Sequence, residues 1–90
     1  MDRQSAQIVA QKALVYIVSD SKVLGALQAG TGVDGTDMRE GAENPEFLAG
    51  LLDFLLENEE LLLSFCQIEG FAPETPQQAR AALPGAAPEW

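Results

Sequence analysis

The residues able to carry chemistry in this 90-residue chain are few, and their spacing leaves them little to do. There is no histidine. That removes Ser-His-Asp and Cys-His nucleophiles, the commonest general base, and His-ligated zinc or di-iron centres. The single cysteine, Cys66, can neither close an internal disulfide nor supply a set of thiolates for a metal. It stands beside Phe65, has no Lys or Arg within one helical turn, and has Glu69 three residues on. Those neighbours oppose a thiolate, so Cys66 reads as a small buried hydrophobe. Carboxylates pair as Asp53/Glu57 and Glu59/Glu60. Both pairs fall on a helix face expected to meet solvent, where nothing would part their pKa values into an acid and a base. No catalytic, cofactor-binding or metal-binding residue is assigned, no cofactor is expected, and the chain is expected not to be an enzyme.

Three motif-like strings fail on context. Gly30-Thr31-Gly32-Val33-Asp34-Gly35 has the letters of a dinucleotide fingerprint. That motif needs a strand before it, and here helices flank it, so its glycines read as helix ends. A calcium loop counted from Asp34 needs acidic or amide residues at its third and fifth places and Gly at the sixth. It meets Thr36, Met38 and Arg39 instead. A DNA-reading helix needs basic and amide side chains. The second helix offers only Lys22 and Gln28, and the fifth offers Glu59, Glu60 and Glu69. Nucleic acid is not an expected partner.

What the chain has in excess is negative charge, a net −9, unevenly placed. Arg3, Lys12 and Lys22 outweigh Asp2 and Asp20 in the first third. Residues 34–69 set Arg39 alone against ten carboxylates, and the end of the chain sets Arg80 against Glu74 and Glu89. Such a middle repels phosphate backbones and anionic lipid heads. It serves either as a solvated face or as a docking surface for a basic partner. Glu46, Asp53, Glu57, Glu59 and Glu60 are the acidic candidates for that surface. The longest nearly apolar stretch, 47–56, is half of a membrane span and contains Asp53, so no membrane insertion is expected. The lone cysteine and an N-terminus without a basic-then-apolar order fit a cytoplasmic location.

Helical periodicity must position these residues, because no period-two run of β-branched residues occurs. A first helix is expected over about 3–18, with Gln4, Gln7 and Gln11 on one stripe and Ala6, Val9, Ala10, Ala13, Leu14 and Ile17 opposite. Val15 continues the glutamine stripe and should face solvent in a monomer. Ser19 or Asp20 caps a second helix over 20–29, which Gly30 or Gly32 closes. Asp34 caps a short third helix over 35–42. Asn44-Pro45 opens a fourth over 45–57, whose polar line is Glu46, Gly50, Asp53 and Glu57. Asn58 caps a fifth over 59–69, ended by Gly70. Thr75-Pro76-Gln77-Gln78 is a capping box for a sixth that stops before Pro84. Tyr16, Phe54 and Phe71 fall at the edges of apolar faces. The tail 84–90, with Trp90 at its end, is expected to be mobile.

Shifted by 38 residues, the chain lies over itself. Ala13-Leu14-x-Tyr16-Ile17-Val18-x-Asp20 covers Leu51-Leu52-x-Phe54-Leu55-Leu56-x-Asn58, and Val23-Leu24-x-x-Leu27 covers Leu61-Leu62-x-x-Phe65. Gly32-Val33 covers Gly70-Phe71. Two helical units, about 3–42 and 45–83, each with an apolar face that neither can bury alone, would pack face to face in one all-α bundle of five to six helices.

The string Asn44-Pro45-x-Phe47-Leu48-x-x-Leu51-Leu52-Asp53-Phe54-Leu55-Leu56-x-Asn58-Glu59-x-Leu61-Leu62-x-x-Phe65 resembles a family of short bacterial proteins catalogued as domain of unknown function 3572. Gly70-Phe71-x-Pro73 and Ala79-Arg80-x-x-Leu83 fit the same pattern, and Gly35 departs from it at a place where Pro is expected. The resemblance spans roughly 6–84. It implies a compact helical fold and no assigned activity, so it brings no site residues. The functional expectation is a non-enzymatic helical module for protein–protein interaction, through an acidic or apolar face or by self-association. A small apolar or acyl ligand between the two units is the second expectation, and an enzyme relying on carboxylates or Cys66 alone the third.

Overall fold

The helices start and stop where backbone chemistry requires it. The computed structural model describes residues 1–32 and 35–83. Six helices lie among them: α1 (Arg3–Val18), α2 (Ser21–Thr31), α3 (Gly35–Gly41), α4 (Pro45–Glu57), α5 (Glu59–Glu69) and α6 (Thr75–Ala82). The Asp2 carboxylate accepts the Ser5 N–H at 2.7 Å, and that of Asp20 accepts the Lys22 N–H at 2.9 Å. The Asn44 side-chain oxygen accepts from Glu46 at 2.9 Å. Each oxygen thereby satisfies an amide that has no partner inside its own helix. At the other ends, Gly32 (φ 76°) and Gly70 (φ 73°) turn left-handed. A side chain there would cost about 1–2 kcal/mol. The Gly70 and Phe71 N–H groups both donate to the Cys66 carbonyl, closing α5.

Two expected caps are built otherwise. Asn58 precedes α5, but its side-chain amide donates back to the Phe54 carbonyl at 3.0 Å and so closes α4. It is the only residue joining the two helices, so its side chain can serve either end. Glu59 and Glu60 then face the α5 amides with favourable negative charge. Thr75 is already the first residue of α6, and no side chain caps that helix. Its N–H donates to the Ala72 carbonyl at 2.9 Å, so a backbone turn replaces the capping box. Before Pro84, Leu83 leaves the helix with ψ 154°, as a residue ahead of proline must. The second helix runs two residues past its expected end. The cap expected at Asp34 and the tail 84–90, Trp90 included, lie outside the described residues.

The centre of the bundle is α1, α4 and α6, each packed on the other two. α2 packs on α1, and α3 and α5 on α4. Ala6, Ala10 and Ala13 on α1 and Ala79 on α6 are fully buried, and their short side chains let these helices approach closely. Leu48, Leu51, Leu52 and Leu55 of α4 fill the space between, each worth about 1.5–3 kcal/mol when fully buried. Phe65 of α5 is also fully buried, its ring 5.6 Å from Tyr16 and 5.7 Å from Phe71. No polar or charged residue is buried and no strand occurs among the described residues.

Candidate functional site

With its leucines turned inward, α4 carries Glu46, Gly50, Asp53 and Glu57 on its outer side, as the 3.6-residue period dictates. Facing that line, α2 brings Ala26 and Gly30. None of Ala26, Gly30 and Gly50 carries more than a methyl group, so α2 and α4 leave a groove of about 460 Å³ between them. Its remaining walls are Asp53, Phe54, Glu57 and Asn58. A Cβ built on Gly30 or Gly50 would meet nothing within 4 Å.

Asp53 is not simply solvated. Its Oδ1 accepts from Nε of Arg80, on α6, at 2.6 Å. The Arg80 side chain is only 14% exposed while that of Asp53 is 47% exposed, so the arginine reaches outward from the packed helices to a carboxylate at the groove wall. Asp53 keeps its place on the outer side of α4, and a guanidinium 27 residues away in sequence holds it there. Glu57, Glu59 and Glu60 also match the expectation of a face that meets solvent. They are exposed around the α4–α5 corner, and none of the three is held in an ion pair among the described residues. Glu59 also borders a second groove with Leu56, Leu62 and Gln77.

Thus Asp53 and Glu57 share one groove, with Glu59 and Glu60 following directly at the corner. Glu46 stands in the first turn of α4, about 16 Å along the axis from Glu57, and does not join them. Val15 is exposed, as expected, but belongs to a different surface on α1.

Cys66 is buried, with Sγ 3.7 Å from the Ala72 carbonyl. Burial, and then the charge of Glu74, push its thiol pKa up, away from a reactive thiolate. No group of three or more Cys, Asp or Glu able to hold a metal ion occurs among the described residues. Nor is any helix there long and apolar enough to cross a membrane.

Sequence reasoning missed Arg80 as the partner of Asp53, because the pairing is tertiary. It also missed the groove floor. A signal existed there: Gly50 sits inside a helix, where glycine is about 0.5–1 kcal/mol worse than alanine.

Fold and surface together define a small all-α protein, with six helices among the described residues, an apolar interior and a carboxylate-lined groove on its outside. Residues 3–86 match the family described as Protein of unknown function (DUF3572), and the chain belongs to that family. No curated protein and no solved structure matches the chain.

Proposed function

We propose that the chain is a non-enzymatic, cytoplasmic interaction module that grips a basic segment of a partner protein in the α2–α4 groove. The groove itself carries this reading: it combines a bare floor, an aromatic edge at Phe54 and the two carboxylates Asp53 and Glu57. A lysine or arginine side chain fits that combination. Its aliphatic stem lies along Ala26, Gly30 and Gly50, and its cation meets Glu57, with Asp53 beside it already paired to Arg80. Each half-exposed pair is worth only about 0.2–1 kcal/mol, so Glu59 and Glu60 at the corner have to add to it. Long-range attraction favours the same partner, since residues 40–79 hold nine carboxylates and no cation. In the two-unit reading of the chain, α2 belongs to the first unit and α4 to the second, so the groove lies where the units meet.

That position also supports the second reading, a small apolar ligand. Asp53 and Glu57 favour a ligand bearing a cation over the anion of a fatty acid. Affinity capture from a native lysate tests the main reading, with the variant E57K/E59K/E60K as control. Basic proteins should be retained by the wild type and lost by the variant. Equal recovery from both forms counts against an acidic docking site. Gly50→Leu, which fills the groove without changing charge, should weaken capture of the same proteins.

A further inference from the structure

We propose that Arg80 sets the specificity of the α2–α4 groove by limiting it to one cation, an inference that rests on the basic-segment reading above. Asp53 and Glu57 lie four residues apart on α4, and both line the groove. Four residues of helix rise about 6 Å. Two residues of an extended segment span about 6.6 Å. Left to themselves, the two carboxylates would match two lysines placed two apart in an extended partner, one cation to each. Such a wall would read a doubly basic motif.

The fold has already committed one of those two charges. Arg80 is the only Lys or Arg after Arg39, in a stretch that holds ten carboxylates, and its Nε donates to Asp53 Oδ1 at 2.6 Å. The arginine side chain is 14% exposed, so its charge lies largely out of water, where it is costly unless a carboxylate answers it. Asp53 is 47% exposed and stands at the groove wall. One carboxylate therefore serves two sides, α6 behind it and the groove in front. Arg80 is not among the residues that line the groove. It offsets negative charge at the wall without filling the space a ligand would use.

Two carboxylates against one guanidinium leave the wall with a single net negative charge. The first cation to arrive is drawn to Glu57 and brings the wall to neutrality. A second meets an Asp53 that is already paired, with a guanidinium behind it, and gains little. The ligand this favours is one lysine or arginine with apolar neighbours, which can lie against Phe54 and the bare floor of Ala26, Gly30 and Gly50. Arg80 acts here as a positioning residue, through Asp53, on a ligand it does not touch.

NMR titration of the full chain with two short capped peptides tests this, one with a single lysine among leucines and one with two lysines placed two apart, followed at the amides of residues 50–58. Wild type should prefer the two-lysine peptide by no more than about twofold, the statistical advantage of offering either lysine to one place. Arg80→Gln should raise that preference by a further factor of about two to five, the effect of one exposed ion pair. Arg80→Lys, which keeps the cation, should behave as wild type, and D53N/R80Q, which returns the wall to one net charge, should lose the added preference. A role confined to packing α6 would lower the melting temperature of Arg80→Gln and leave the ratio of the two affinities unchanged, and that result overturns the proposal. So does a wild type that prefers the two-lysine peptide fivefold or more and loses the preference in Asp53→Asn, a comparison that needs no Arg80 variant to fold. The groove reading fails separately: if neither peptide shifts these amides in the wild type, that reading falls and takes this one with it, whereas wild-type binding with an unchanged ratio in Arg80→Gln sinks the specificity claim alone.

Discussion

The same substitution, glycine to alanine, should change stability in opposite directions at Gly50 and Gly41. Gly50 lies inside α4 on its outer side, and an added Cβ meets nothing within 4 Å. Alanine there gains helix propensity with no steric cost, about 0.5–1 kcal/mol. Gly41 ends α3 and is buried, and a Cβ on it would run directly into the Phe47 ring. Little propensity is gained at a helix end, while overpacking costs about 1–3 kcal/mol. Phe47 is only partly buried, so its ring can yield outward, which holds the net loss near about 1–2 kcal/mol. In a domain of this size each kcal/mol moves the melting temperature by about 4–8 °C. Thermal unfolding followed by circular dichroism should therefore show Gly50→Ala melting about 2–8 °C above wild type and Gly41→Ala at least about 4 °C below it. Shifts of the same sign at both sites would refute the packing on which the groove and the α3–α4 contact rest.

Phe65→Ala, which empties the fully buried centre of the Tyr16–Phe65–Phe71 cluster, should cost about 3–5 kcal/mol in urea unfolding, a large part of the stability of so small a domain. Cys66 should resist alkylation at pH 8 until the chain is unfolded. Because its pKa is raised in the fold, the unfolded chain loses this proton first, so stability should fall as pH rises above the ordinary thiol value of 9.0 and be unaffected by this group well below it. The Asp2 carboxylate has a lowered pKa because the Ser5 backbone N–H, and then the Ser5 side chain, bond to its charged form. Its contribution to the first turn of α1 is present above 3.8 and lost as pH falls through the lower folded value, which the amide shift of Ser5 should report.

Local chemistry made most of the fold legible. Asp20, Asn44, Gly32 and Gly70 act at the helix ends where their types place them, and the period of α1 and α4 separates buried from outer residues as read. The exceptions are residues with two possible partners. Asn58 stands between two helices and served the carbonyl side, and Thr75 lost its role to a backbone turn. The site was legible only in part. Glu57, Glu59 and Glu60 gather because they are neighbours in sequence, whereas the groove depends on α1 holding α2 opposite the outer side of α4, which no local signal encodes. The bond from Arg80 to Asp53 spans 27 residues and two helices, so periodicity could place each residue on a face but not bring the faces together.

The central claim is that the α2–α4 groove seats a basic side chain. NMR titration of the labelled chain with a short peptide of alternating lysine and leucine tests it most directly. The amides of residues 26–30 and 50–58 should shift together and saturate, with Gly50→Leu and E57K/E59K/E60K abolishing the response. Shifts confined to other surfaces, or a response that survives both variants, would contradict it.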